Sequence, residues 1–293
     1  MKNQPLIYIV TSNYNNTQCT IDFLSSVHEL SYSNYGIIVV DDGSADDSIE
    51  SIVNLFPEIT LIRNAENLHY CRSFNVGVRA ALAKGAEYVF IVNNDTKDFS
   101  QNYLEEILLT FQRDSSIGMV GSRCVDYVGG ERRGAKSSWR LGIELDVPSE
   151  GYVIKREVFE KVGLFNEWLI CFFEDLDFIA RLTEKGFCTD INLQVSFAHL
   201  GAGTQSKLPF TSNYYRVRNL IMFTKKYCTH RSLMTNLREI KGELGVHYSK
   251  FTSSLRDGDF LIASTILGAV VSGLVVGTVI PAWFGWKQKY LGV

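Results

Sequence analysis

Gly36-Ile-Ile-Val-Val-Asp41-Asp42-Gly43-Ser44 decides the fold, together with its echo Tyr88-Val-Phe-Ile-Val-Asn93-Asn94-Asp95-Thr96. Each is a near-continuous apolar run that stops at polar and acidic residues. A strand needs such a run when both of its faces are buried, as in a parallel sheet. Ligands of such sheets bind beyond the carboxyl ends of the strands. Asp41, Asp42 and Asp95 are therefore expected to share one crevice. Clustered acids suit a hard divalent cation, and with it a phosphorylated ligand. Asp and Gly are also ordinary turn residues, so one such strand end says little; two in order, with the partners below, say more.

The flanking sequence continues the alternation. Leu6 to Val10 reads as a first strand, followed by the polar turn Thr11-Ser-Asn-Tyr-Asn-Asn16 and a helix from Thr17 to Leu30. Ser44 is expected to cap a helix running to Phe56, with Asp46 and Asp47 in its first turn favouring the macrodipole. Ile59 to Arg63 reads as a strand, Ser73 to Lys84 as a helix stopped at Gly85, and 88–92 as the next strand. This βα alternation implies a doubly wound sheet. Further on, Asn102 to Gln112, Lys155 to Val162, Glu174 to Lys185 and Tyr214 to Lys226 read as helices, and Gly118 to Gly121 as a short strand. Residues 126–150, with Gly129-Gly130 and few apolar positions, read as a loop or irregular strands.

The chain has 293 residues, 46% of them hydrophobic, which fits one large domain or one domain with an appendage. A net charge of -3 argues against a nucleic-acid partner, whose electrostatic footprint would be basic. Cys19, Cys71, Cys124, Cys171, Cys188 and Cys228 show no CxxC spacing and read as reduced cytosolic thiols. Met1-Lys-Asn-Gln-Pro5 leads straight into a strand and does not read as a secretory leader.

Residues 260–286 carry no charge, longer than the roughly 20 residues a membrane span needs. Ala269, Gly273 and Gly277 form a small-residue face. Polar dilution by Ser264, Thr265, Ser272 and Thr278, with Pro281, Lys287 and Lys289 at the far end, argues against a span. Interfacial docking, a span, and a packing or oligomer helix all remain open. The expected organisation is a catalytic domain over 1–225, with halves 1–97 and 98–225, and a helical C-terminal region 226–293.

Two further blocks join the acidic strand ends. Gly151-Tyr-Val-Ile-Lys155 to Glu167 leads into Cys171-Phe-Phe-Glu174-Asp175-Leu-Asp177, and His199-Leu-Gly-Ala-Gly203 precedes Tyr214-Tyr215-Arg216-Val-Arg218-Asn219. With these in order over about residues 5–220, the chain resembles family 2 glycosyltransferases of the GT-A fold, in the branch of bacterial rhamnosyl- and galactofuranosyltransferases. The resemblance implies a Rossmann-like, mostly parallel central sheet flanked by helices, with a C-terminal helical, apolar appendage. It implies inverting transfer from a UDP- or dTDP-linked sugar to a glycan or lipid-linked glycan acceptor in surface polysaccharide synthesis. It also implies a cytoplasmic enzyme, peripheral at the inner face of the membrane through 260–286, with a homo-oligomer open.

Residue by residue, the resemblance assigns Thr11, Tyr14, Asp41 and Asp42 to base and ribose, with Arg72 facing nucleotide or phosphates. Asn93, Asn94 and Asp95 occupy the place of the family's DxD, with Asn at its first acidic position; Asn93 and Asn94 would touch the nucleotide, and Asp95 and His199 would hold Mg²⁺ or Mn²⁺. Mg²⁺ typically uses one or two protein carboxylates plus phosphate oxygens, so one Asp and an Asn suffice. Asp175 is the expected general base and Glu174 its alternate; Phe172 and Phe173 could give the apolar surroundings that raise a carboxyl pKa. Asp177 and Arg181 read as a structural i,i+4 pair. His199 reads as a metal or diphosphate contact, with a packed core histidine as the alternative. Arg216 and Arg218 read as a phosphate clamp or a solvated helix face, and Trp139 and Trp168 as sugar platforms or packing. A sugar nucleotidyltransferase would carry a Gly-rich, basic loop after the first strand, and 11–16 contains neither Gly nor Lys. A non-catalytic glycan-binding or scaffolding relative is favoured by Asn93 and Asn166 and opposed by Asp95, Glu174, Asp175 and His199.

Overall fold

The computed structural model describes residues 4–45, 48–128, 131–133, 138–140, 143–145, 150–201 and 209–227. The expected first turn at Asp46-Asp47, Gly203, and the apolar segment 260–286 with its Ala269/Gly273/Gly277 face lie outside the described residues, as does the side chain of Trp139.

The chain begins β1 (Ile7–Asn13), α1 (Thr17–Val27), β2 (Tyr35–Asp41), α2 (Ser48–Leu55), β3 (Thr60–Arg63), α3 (His69–Ala83) and β4 (Tyr88–Val92). β1 lies between β2 and β4, parallel to both, with Asn13 level with Asp41 and Ile7 level with Tyr88. β3 extends the sheet beyond β2, also in parallel. All four strands end at the same edge. The strand order reverses between β1 and β4, which is where open α/β sheets bind ligands.

The second half is mixed. After β5 (Thr96–Lys97) and α4 (Tyr103–Arg113) come β6 (Ile117–Val128), β7 (Glu131–Arg133), β8 (Ser138–Arg140), β9 (Ile143–Leu145), β10 (Gly151–Lys155), α5 (Arg156–Val162), α6 (Glu174–Glu184), β11 (Cys188–His199) and α7 (Pro209–Tyr227). β10 runs antiparallel between β4 and β6, β11 is parallel to β6, and β5 closes the order antiparallel to β11. The large sheet is therefore parallel through the first half and mixed beyond β4. β8 and β9 pair separately, so part of 126–150 is strand.

Several boundaries move for identifiable reasons. Helix α3 starts four residues before the expected Ser73, because Asn67 Oδ1 takes the His69 N–H (2.8 Å) and Asp42 Oδ1 takes the Leu68 N–H (3.0 Å). These two acceptors satisfy backbone donors at the helix entry. Ser73 faces the sheet instead, with its hydroxyl 2.8 Å from that of Ser12. The Oγ of Ser44 takes the backbone N–H of Asn15 (2.9 Å) and the side-chain amide of Asn13 (3.2 Å); the residues that would link it to α2 lie outside the described ones.

The core of the sheet's α1/α4 side is organised around Phe99. Its ring lies 6.0 Å from Phe23, 5.9 Å from Phe90, and 5.5 Å from both Tyr103 and Phe197, tying α1, β4, α4 and β11 together. Edge and tilted aromatic contacts of this kind add to plain area burial. On the other face α3 lies flush on the sheet at Gly77. A Cβ there would fall 2.4 Å from Val10 Cγ1, so only glycine permits this approach of helix to strand.

The chain divides into two compact units. The first comprises 1–139, 144–170 and 174–204, and holds the large sheet. The second, in its described part, comprises Arg140, Ile143, Cys171–Phe173 and α7. Among the described residues no helix is long and apolar enough to cross a membrane.

Candidate active site

The carboxyl ends of β1, β2 and β4 are joined by a buried hydrogen-bond chain. The Asn94 amide donates to Thr20 Oγ1 (2.9 Å), Thr20 donates to Asn13 Oδ1 (2.9 Å), and the Asn13 amide donates to Asp41 Oδ1 (3.1 Å). The other carboxylate oxygen of Asp41 takes the Ser44 N–H (3.3 Å). Asp42 is pinned to the β3–α3 loop by the Asn64 amide (2.9 Å) and the Leu68 N–H. Burial pushes the Asp42 carboxyl up, and its bonds from Asn64, Leu68 and His69 oppose that. Gly43, between them at φ +75°, sits so close to the backbone of Glu66 and Asn67 that a Cβ would fall 2.7 Å from the Glu66 carbonyl carbon. Asp41 and Asp42 thus shape the crevice through structural bonds as well as lining the strand ends. Thr11, expected at base or ribose, is fully buried within β1, and its hydroxyl has no protein partner among the described residues. Tyr14 lies partly exposed just past the end of β1.

The loop after β4 carries the next groups. Its backbone is anchored by Asn93 N–H to Glu150 O (2.9 Å) and by Leu200 N–H to Asp95 O (2.8 Å). The second bond brings the end of β11 alongside Asp95. His199 Nε2 lies 3.2 Å from Asp95 Oδ2, with both side chains largely withdrawn from solvent. Residues 104 positions apart in sequence, both expected at the metal, thus meet in space. Two cis ligands of an octahedral ion at about 2.1 Å lie about 3 Å apart, so this spacing fits joint ligation of one cation. Among the described residues no three His, Cys, Asp or Glu side chains form a metal cluster. Two protein donors leave an ion's remaining positions to water or phosphate oxygens, and the carboxylate of the pair suits Mg²⁺ or Mn²⁺.

The segment before α6 is strained. Ile170, Phe172 and Phe173 have φ of +65°, +66° and +67°, a region costly for bulky L-residues. Within the first unit the segment is tied to α3 by the Cys71 N–H to Ile170 O (2.9 Å) and by Asn75, whose amide and carbonyl bracket Phe165 O and N at 3.0 Å. The first turn of α6 then carries three carboxylates with different surroundings. Glu174 is 7% exposed and Asp177 only 2%, whereas Asp175 is half-buried. Asp177 makes the expected i,i+4 pair with Arg181 (2.8 Å), and Arg181 also donates to Val162 O and Leu164 O. The Tyr70 and Tyr152 phenols border Glu174 and Asp175; burial, then the negative charge nearby, raises Tyr70 well above its usual range, and burial first raises Tyr152 likewise. Both phenols therefore hold their protons. The helix N-terminus favours an ionised carboxylate, the form a general base requires.

Arg72 points to Glu167 (3.8 Å), which also meets Arg79 (3.2 Å) and the Asn75 amide (3.1 Å). Its contact in this structure is therefore with the α3–loop cluster, and exposed pairs of this kind contribute little stability. In the second unit, Arg216 lies 4.4 Å over the Phe172 ring, and Arg218 stacks on Tyr215 (4.7 Å) while donating to Asn219 Oδ1 (2.9 Å). The Asn219 amide donates to Cys171 O (2.7 Å) and Phe172 O (2.9 Å), and Phe223 packs on Phe173 at 5.9 Å. Phe172 and Phe173 thus meet a guanidinium and a ring of α7.

The model of glycosyl transferase family 2 matches residues 8–175, more than half of the chain. The chain belongs to that family. Its fold is the mixed-sheet GT-A arrangement. Among the relatives of this family 2 protein, an uncharacterized glycosyltransferase of Haemophilus influenzae is 29% identical over 126 residues, 42% of this chain and 38% of that protein. The match therefore spans well under two thirds of that relative. The dTDP-rhamnosyl transferase RfbF of Shigella flexneri is 23% identical over 80% of this chain and 84% of its own. In fold, the chain is similar to a mannosyltransferase from Pyrobaculum calidifontis solved with GDP-Man and Mn²⁺, with a TM-score of 0.57, 16% identity, and coverage of 99% of this chain and 81% of that one.

Asn13, Thr20, Asn75 and Asn219 were not assigned a role by sequence reading. Nothing in their residue types marks them; only burial and bonding do.

Proposed function

We propose that this family 2 enzyme transfers a sugar, with inversion, from a dTDP- or UDP-linked donor to a glycan acceptor in cell-surface polysaccharide synthesis. The observation that carries the reading is the meeting of Asp95 and His199 at the edge where Asn13 and Asp41 end their strands. A carboxylate and an imidazole at that edge suit a cation-borne diphosphate. The rhamnosyl relative puts dTDP first among donors to test, and the Mn²⁺ of the mannosyltransferase supports a divalent cation.

Asp95 and His199 would hold the ion, whose charge would offset that developing on the departing diphosphate. Asp175 takes the proton of the acceptor hydroxyl. The acceptor oxygen forms its bond to the anomeric carbon as the bond from that carbon to the diphosphate breaks. The electron pair leaves with the diphosphate, and attack from the opposite face inverts the centre. Asp175 is favoured over Glu174 because it is the less enclosed of the two.

A thermal-shift series with dTDP, UDP, GDP and CMP, each with and without Mn²⁺, tests the donor side. A ligand that binds only the folded state at 100 times its Kd stabilises by about 2.7 kcal/mol, or about 5–10 °C for a domain of this size. The expected result is such a shift with dTDP or UDP, enlarged by Mn²⁺, with the enlargement lost in Asp95→Ala. No shift with any nucleotide in either condition would remove the reading.

The acceptor is proposed to be membrane-borne, with residues 260–286 holding a cytoplasmic enzyme at the inner membrane face. Detergent-free fractionation should find the full chain with membranes and a chain lacking 260–293 in the supernatant. Identical distributions of the two would refute the anchor.

A further inference from the structure

We propose that Thr20, a residue of α1 outside any expected ligand contact, is a positioning residue that holds the Asp95 loop in register with the nucleoside end of the site. This rests on the reading of Asp95 as a ligand of the cation. Its basis is the chain Asn94–Thr20–Asn13–Asp41, in which every bond is 2.9–3.1 Å.

The polarity of this chain is fixed from one end. A carboxylate only accepts, so Asn13 must turn its NH₂ to Asp41 and its Oδ1 to Thr20. Thr20 then spends its single proton on Asn13 Oδ1, and the contact from Asn94 must be a donated N–H. The alternative acceptor for Thr20, Asn16 O, is more distant at 3.3 Å. No amide can flip without breaking the sequence, so all three groups hold one orientation. Asn13 and Thr20 are fully buried and Asp41 nearly so. At such sites an unmade bond is costly and bonds in series reinforce one another.

Thr96 Oγ1 to Asn93 O (2.7 Å) braces the 93–96 loop internally. Its other anchors include Asn93 N–H to Glu150 O, Leu200 N–H to Asp95 O and the pairing of Thr96 with His199. They secure the loop to the β10 and β11 side. The Asn94 side chain is the link to α1, and through Thr20 to the ends of β1 and β2. Asn94, expected to touch nucleotide, has its amide engaged in this frame. Removing the Thr20 hydroxyl should leave the strand-end pocket in place but loosen the carboxylate that meets the cation.

The experiment is calorimetric titration of the full chain with dTDP and UDP, in the presence and absence of Mn²⁺, which needs no turnover. In Thr20→Val, which replaces the hydroxyl by a methyl, the enhancement of nucleotide affinity by Mn²⁺ should fall about two- to tenfold, the worth of one hydrogen bond. Affinity without Mn²⁺ should stay within about twofold, and Thr20→Ser should restore the enhancement. Thr20→Ala removes the same hydroxyl and should reproduce the loss if Thr20→Val folds poorly. Unchanged Mn²⁺ enhancement in both variants, or equal losses with and without Mn²⁺, would reduce Thr20 to a fold-stabilising residue and overturn the proposal. A wild-type chain that binds nucleotide with no Mn²⁺ enhancement overturns it together with the metal reading; one that binds no nucleotide overturns the donor reading as well.

Discussion

Asp175→Asn is expected to lower kcat by about 10²- to 10⁴-fold, the usual contribution of a general base. The change is nearly isosteric. The bond that Asp175 Oδ1 accepts from the Leu176 N–H (2.8 Å) can be kept by the amide oxygen, so stability should move by less than about 1 kcal/mol. The donor KM should change little, because the groups assigned to the nucleotide lie at the strand ends and not on α6. Rate against pH separates a base from a packing residue. A wild-type rate carried by an ionised carboxylate falls on the acid side, and that limb should flatten in Asp175→Asn. Glu174→Gln is the matched comparison. Glu174 is nearly enclosed, so its variant should act mainly on stability. A deeper kcat loss in Glu174→Gln than in Asp175→Asn would transfer the base to Glu174, and full activity in both would remove the base from this helix altogether.

The sheet's first half was legible because burial on both faces forces a signal that sequence carries. The runs at 36–41 and 88–92 have no polar interruption, and the observed strands coincide with them at β2 and β4 to within a residue. β11 was not legible beyond its last residues. Its register against β6 shifts twice: between Cys188 and Thr189 the extra residue lies in β6, but between Asn192 and Ser196 the extra residues lie in β11 itself and break the period-two pattern that reading depends on. Ser44 fits the rule for an N-cap, yet its hydroxyl serves Asn15 and Asn13, and Asn67 and Asp42 serve the start of α3. Local rules name the residue types able to cap a helix; they do not say which competing acceptor is nearer.

The candidate site divides in the same way. His199 stood out because it closes an apolar run before a Gly-rich turn, and the structure sets it against Asp95. Asp177 and Arg181 followed from helical spacing alone. Asn13, Thr20 and Asn219 were silent, since Asn and Thr are common in any turn or surface helix. Their importance comes from full burial beside backbone and carboxylate acceptors, which only the fold creates. Strain was equally hidden: nothing in Ile170-Cys-Phe-Phe173 announces left-handed backbone, and these are residue types that avoid it.

That strain makes Asn219 the most sensitive position in the second unit. Phe172 and Phe173 at positive φ each cost about 1–2 kcal/mol, and such backbone persists only where its surroundings over-determine it. Asn219 supplies much of that constraint, giving both amide protons to the carbonyls of Cys171 and Phe172 and accepting from Arg218. Asn219→Ala removes three hydrogen bonds at a buried position, at about 0.5–1.5 kcal/mol each. With partial relaxation a net loss of about 2–4 kcal/mol is expected, or a fall in Tm of about 4–15 °C. Asn219→Asp should be no better than Ala, because it sets a carboxylate against the same two carbonyls. Phe173 is followed directly by Glu174 and Asp175, so release of the turn should also disturb the proposed base. A displacement on the order of 1 Å there can cost about 100-fold in rate. Melting curves, and turnover measured well below the new Tm, would test this. Turnover should fall while nucleotide affinity at the strand ends holds. A Tm within about 2 °C of wild type, or affinity and turnover falling in parallel with the unfolded fraction, would show that the turn is held without Asn219 or that it does not govern Asp175.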